Sequence, residues 1–186
     1  DDVINSYKVD CIIDSGKKHT TKTYKDYFNA ASTENECIFV EDEDNTYFFG
    51  DDEDLLLSII DCGDNYTDIN ENSVVCMLEY LDTKVLFTGD LESTIENEYL
   101  DKFSDVDILK VGHHGSKTSS SLEFLNIIKP EVAIISAGLD NKYGHPHLEA
   151  YNRLVDSGAL VYGTFKSGTI ILALKNEGYE LNTSTL

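Results

Sequence analysis

The chain has 186 residues, 41% of them hydrophobic, which suits a single domain with a core of its own. Its 35 acidic residues against 14 basic give a net charge of −21, which argues against nonspecific nucleic-acid binding by the surface as a whole, because such binding needs cations facing phosphates. No run of about 18 apolar residues is present, so no membrane-spanning helix is expected, and the opening DDVINSYKVD lacks the basic region and apolar run of a signal peptide.

In chain order, Val9–Ile13 predicts a short buried strand and Thr20–Ala31 a helix. Thr20 or Thr21 is its N-cap, with Tyr24, Tyr27, Phe28 and Ala31 on one face. Glu36–Val40, Thr46–Phe49 and Leu55–Asp61 read as strands, the last two joined by a turn at Gly50 and Asp51. Acidic bursts at Glu41–Asp44 and Asp51–Asp54 flank Tyr47–Phe49 and read as a solvated loop and hairpin in preference to a calcium site. DNYTDINEN (Asp64–Asn72) lacks the turn Gly and closing Glu spacing of an EF-hand loop. Ser73–Tyr80 and Lys84–Thr88 form a hairpin turning through Leu81, Asp82 and Thr83, and Leu91–Phe103 is an acidic helix. Beyond it, Asp107–Val111, Glu131–Ser136, Leu160–Tyr162 and Thr169–Leu174 read as strands, with helices at Ser119–Ile128 and Leu148–Ser157. Strands dominate the first half and alternate with helices in the second, so the expected class is α/β (α+β), a sheet with helices against it in one domain over residues 1–186. Cys11, Cys37, Cys62 and Cys76 show no C-x-x-C spacing and lie in or beside apolar stretches, which predicts buried free thiols and gives no support to zinc held by cysteine.

Three strands end in polar loops: VLFTGD at Asp90, ILKVGHHGS at His113 and His114, and AIISAGLDNKYGHPH at His145 and His147. Four of the five histidines sit in two of those loops, where a rigid scaffold presents chemistry. The stretch ILKVGHHGSKTSSS first suggests a phosphate cradle, but Lys117 does not directly follow Gly115, and Gly112 and Gly115 stand too close together for a Walker A loop. A metal site fits better. Neutral imidazole is the commonest metal ligand, and a carboxylate at a neighbouring strand end is able to bridge cations. Asp90 suits that part, unless it merely caps the following helix. Adjacent histidines point different ways from an extended chain, so one of His113 and His114 should ligate and the other hold substrate or support the ligands.

LFTGD, ILKVGHHGSKTSSS, the P-x-x-A-I-I-S of Pro130–Ser136 and N-K-Y-G-H-P-H at Asn141–His147 resemble, in order and spacing, the metallo-β-lactamase-fold hydrolases. They resemble in particular the C-terminal domain of ComEC-type DNA-uptake proteins and their free-standing relatives, which occur as extracytoplasmic domains and as free proteins. The resemblance runs from Asn72 to about Ile171 and implies an αββα sandwich with a divalent metal site, zinc or manganese, and hydrolysis of a phosphate-containing substrate, DNA included. It implies Asp90 as the bridging carboxylate, His114 (or else His113) as the late histidine ligand, and His145 as a catalytic histidine aiding substrate or leaving group, with Lys117 beside it. Lys110, Ser116 and Asn141 are implied on the substrate. The family's early H-x-H-x-D-H motif does not occur, since the only earlier histidine is His19. The resemblance therefore also implies a domain entered partway, with the first strands and most ligands missing and little activity by itself. Such a domain would cover its apolar face by self-association or by docking the missing fragment. A non-catalytic binding module that keeps the fold is the alternative.

Overall fold

The computed structural model describes residues 2–33, 37–39, 44–49, 54–63 and 66–184. The ends of the predicted strand Glu36–Val40, the Cys37 side chain, most of both acidic bursts with the turn at Gly50 and Asp51, and Asp64 and Asn65 lie outside the described residues.

A short helix α1 (Asp2–Ser6) precedes β1 (Ile12–Asp14) and α2 (Lys22–Ala31). The N-cap of α2 is Thr21, whose hydroxyl accepts from the Tyr24 N–H at 3.2 Å and so satisfies one of the donors a helix start leaves open. Then follow β2 (Cys37–Phe39), β3 (Asn45–Phe49), β4 (Leu55–Ile60), β5 (Val75–Tyr80), β6 (Thr83–Phe87), α3 (Ser93–Glu98), β7 (Ile108–Lys110), α4 (Leu122–Ile128), β8 (Val132–Ile135), α5 (Leu148–Asp156), β9 (Leu160–Gly163), α6 (Thr164–Ser167), β10 (Thr169–Leu174) and β11 (Tyr179–Ser184). Strands β3 to β9 form one seven-stranded sheet in sequence order. Neighbours from β3 to β6 are antiparallel and those from β6 to β9 parallel. Parallel neighbours need crossovers, and α3, α4 and α5 supply them.

Alternation along the parallel strands sorts their side chains. Leu86, Leu109 and Ala133 join Ile95, Phe124, Leu125, Ile128 and Leu154 in the core under the helices. Val85, Ile108 and Val132 point the other way, against Leu172, Leu174, Tyr179 and Leu181 of the β10–β11 hairpin. With Ile108 and Leu109 both fully buried, this short strand is apolar on both faces, and a one-residue slip would interchange two filled sets of contacts. Each such side chain contributes roughly 1.5–3 kcal/mol by burial. The mixed α/β class expected from the pattern is what the chain adopts. Several expectations need correction. The helix predicted over Leu91–Phe103 is two pieces, α3 and a 3₁₀ turn at Leu100–Lys102; the strand predicted over Val9–Ile13 is Ile12–Asp14 and only half-buried; and the pattern announces none of α1, α6 and β11. Cys62 is a buried free thiol, which burial pushes up to about 12, and Cys76 is a half-buried one, but Cys11 is exposed. Among the described residues no helix is long and apolar enough to cross a membrane.

The parallel register has a consequence for chemistry. Strands β6, β7 and β8 run parallel, so their carboxyl ends lie side by side and the loops that follow them meet there.

Candidate functional site

The loop after β6 carries Asp90. Gly89 turns it with φ +56°, where an added Cβ would lie 2.9 Å from Ser73 Cβ, and the Asp90 N–H donates to Ser73 Oγ at 3.0 Å. The N-cap of α3 is Glu92, so Asp90 does not cap that helix, and its carboxylate stands 42% exposed beyond the carboxyl end of β6.

The loop after β7 is tighter than an extended chain. His113 (φ 47°), His114 (φ 54°) and Gly115 (φ 79°) are consecutive left-handed residues, a conformation that costs energy for the two histidines and persists because bonds around it hold it. His113 N donates to the Gly89 carbonyl at 2.9 Å, and Ser116 N donates to the His113 carbonyl at 2.8 Å. The turn sends the two imidazoles to different partners. His114 Nδ1 lies 2.7 Å from the Ser136 carbonyl, which only an N–H there can satisfy, leaving Nε2 with its lone pair 3.7 Å from Asp90 Oδ1. His113 Nδ1 lies 3.5 Å from Glu92 Oε1, a separation that becomes an ion pair only on protonation, and this buried nitrogen otherwise has no hydrogen bond.

The loop after β8 brings His145 between them. Its ring centroid is 5.6 Å from that of His113, 6.3 Å from His114, 5.7 Å from Tyr143 and 4.8 Å from His147. Burial, followed by the neighbouring imidazoles, pulls His145 below its ordinary value against the opposing effect of Asp90, so the ring is neutral at neutral pH. Asn141 fixes the backbone of this loop with every polar atom of its side chain. Its Nδ2 donates to the Gly138 carbonyl at 2.9 Å and the His145 carbonyl at 2.6 Å, while its Oδ1 accepts from Tyr143 N at 3.2 Å and His145 N at 3.0 Å.

The remaining expected residues occupy different stations. Lys110 is half-buried, donates from Nζ to the Val111 carbonyl at 3.0 Å, and is lowered by burial against the pull of Asp90. Ser116 is buried, with its hydroxyl 3.0 Å from Thr118 Oγ1. Lys117 is exposed and borders a separate cleft with Asn97, Glu123 and Arg153. Its N–H donates to His147 Nδ1 at 3.0 Å, which puts the proton of that ring on Nε2. Sequence reasoning assigned no role to Glu92, Tyr143, His147 or the Ser136 carbonyl. The signals available were a carboxylate two places after Asp90 and the second histidine of H-P-H. His114 and His145 share a cleft of about 860 Å³ with Tyr143, Phe165 and Ile170.

Asp90 and His114 test whether a divalent ion suits the site. Their donor types are right, their facing atoms are 3.7 Å apart, and the outer nitrogen of His114 is anchored as metal-binding imidazoles usually are. Among the described residues, however, no group of three or more His, Cys, Asp or Glu side chains is arranged to hold an ion. The pair fits one side of a coordination shell and does not complete it.

Residues 41–138 match the Metallo-beta-lactamase superfamily. ComE operon protein 3 of Bacillus subtilis (strain 168) is 41% identical over 109 residues, covering 58% of this chain and 14% of that protein. Recombination protein 2 of Haemophilus influenzae is 39% identical over 101 residues, 54% of this chain and 13% of the other. Competence protein ComA of Neisseria gonorrhoeae is 36% identical over 115 residues, 59% and 17%. The matched part of the chain thus spans less than a fifth of the length of these curated relatives. A crystal structure from Parabacteroides distasonis, described as a candidate metal-dependent hydrolase, has a TM-score of 0.50 over 87% of this chain and 79% of that one, at 14% identity, a likeness of fold alone.

Proposed function

The chain belongs to the metallo-beta-lactamase superfamily, and from that premise we propose that it serves the metal-dependent hydrolysis of phosphodiesters, DNA among them. The observation that carries the reading is the facing of Asp90 and His114 across 3.7 Å, with the far side of the imidazole fixed on the Ser136 carbonyl. The superfamily implies a divalent metal, which these two residues would hold. Such an ion, when bound, polarises phosphoryl oxygens and lowers the pKa of water.

The chain's own groups do the rest. His145, kept neutral by burial and by its neighbours, has a lone pair free to act as a general base, and Asn141 holds its backbone so that the ring stays among the others. His147 presents Nε2–H from the same loop. Relatives named for competence and for recombination support DNA as the substrate. A second reading, a non-catalytic module that retains the fold, draws support from the incomplete ligand set among the described residues.

One experiment separates them. The protein is equilibrated with Mn²⁺ or Zn²⁺, passed through a desalting column, analysed for metal and assayed on single-stranded DNA. The hydrolase reading expects retained metal and weak cleavage by this chain, with Asp90→Ala and His114→Ala each weakening metal binding by roughly 100-fold, the upper end of what loss of even an outer partner costs. Metal retention unchanged by both substitutions, without cleavage, would favour the module.

A further inference from the structure

The cleft beside His114 and His145, at about 860 Å³, is far larger than a phosphate requires. Its lining includes the apolar surfaces of Tyr143, Phe165, Leu139 and Ile170. Tyr143 is 65% exposed, and its ring lies at 22° to that of His145 with centroids 5.7 Å apart. The Lys142 ammonium stands 4.8 Å from the Tyr143 centroid. An exposed aromatic ring stacked beside the candidate hydrolytic histidine, with a flexible lysine over it that an incoming base would displace towards its phosphate, is an arrangement by which proteins hold an unpaired base, since every base has a π-face to offer. Charge points the same way. With 35 acidic residues against 14 basic, coulombic attraction by the whole surface does not supply affinity for a polyanion, so contacts within the site, stacking among them, must supply it.

We propose that this cleft receives one unpaired nucleobase of a single-stranded DNA whose adjoining phosphate lies at His114 and His145, with Tyr143 as the stacking platform. The proposal rests on the phosphodiester reading above and adds a strand preference to it, because a duplex keeps its bases inside the helix.

Fluorescence anisotropy tests it, in Mn²⁺, with a short phosphorothioate-linked single strand that resists hydrolysis, the same strand with abasic positions, and its duplex. The base-bearing single strand should bind about tenfold more tightly than the other two, Tyr143→Ala should reduce it to the abasic level, and Tyr143→Phe should leave it unchanged. Equal binding of base-bearing and abasic strands, or a Tyr143→Ala variant that binds like the parent, would overturn the base site and leave the phosphodiester reading standing. Failure of every strand to bind would overturn both.

Discussion

Gly115 is the residue on which two of the three loops meet. Its φ is +79°, an added Cβ would lie 2.7 Å from Pro146 Cβ and 3.3 Å from Pro146 Cα, and its carbonyl accepts from His147 N at 2.9 Å. Gly115→Ala therefore meets a left-handed backbone penalty and a collision with the residue next to His145. Together these should cost roughly 2–4 kcal/mol in urea unfolding. Gly144 is the control, since its φ is +72° but nothing lies within 4 Å of an added Cβ. Gly144→Ala should show the backbone penalty alone, about 1–2 kcal/mol. Hydrolysis should fall further in Gly115→Ala than in Gly144→Ala, because displacement of Pro146 carries His145 away from the rings of His113 and His114. Equal losses in the two variants would show that contact with Pro146 is not what places His145.

At the scale of elements, the segment between the histidine turn and α4 is ordered by side chains from α3 and α5. The fully buried Glu96 accepts from Ser120 N at 2.7 Å and Ser121 N at 2.8 Å, while Arg153 donates to the carbonyls of Ser120 at 2.8 Å, Ser119 at 2.7 Å and Lys117 at 3.0 Å. Burial raises the Glu96 pKa, and the two N–H donors and Arg153 only partly oppose it. A carboxyl whose pKa is higher folded than unfolded gives stability that is complete below the ordinary carboxylate range and is lost as pH rises through its folded value. Glu96→Gln leaves one backbone N–H facing an amide donor, a cost of about 1–3 kcal/mol, and abolishes the titration. Thermal melts should thus show the parent's advantage over Glu96→Gln narrowing as pH rises from about 4 towards neutrality. A constant gap would contradict the raised pKa. These elements also mark what was legible in the sequence. Apolar runs located β5 to β8, and the polar ends TGD, GHHGS and GHPH stood out because each follows such a run. Thr21 was readable as a cap because its chemistry is local. The closeness of Glu92 to His113 and of Tyr143 to His145 was not readable, since both depend on loop backbones that no periodicity announces. β11 escaped because YELNTS has only Tyr179 and Leu181 to mark its buried face. The predicted acidic helix broke at Tyr99, whose φ of −112° departs from the helical range.

For the whole molecule, the net charge of −21 sets a long-range field that opposes an approaching polyanion, while the contacts that would hold a strand act within a few ångströms. Salt separates the two. The screening length falls from about 30 Å at 0.01 M to about 8 Å at 0.15 M, so added salt removes the distant repulsion and spares stacking and partly buried contacts. The association rate of a single-stranded oligonucleotide, followed by stopped-flow fluorescence, should therefore rise between those concentrations, opposite to the salt-weakened binding of proteins that neutralise phosphates with basic surfaces. A small phosphodiester bearing one negative charge should respond less, because the repulsion scales with the charge of the ligand. A rate that fell throughout would mean that cations near the binding site override the acidic surface.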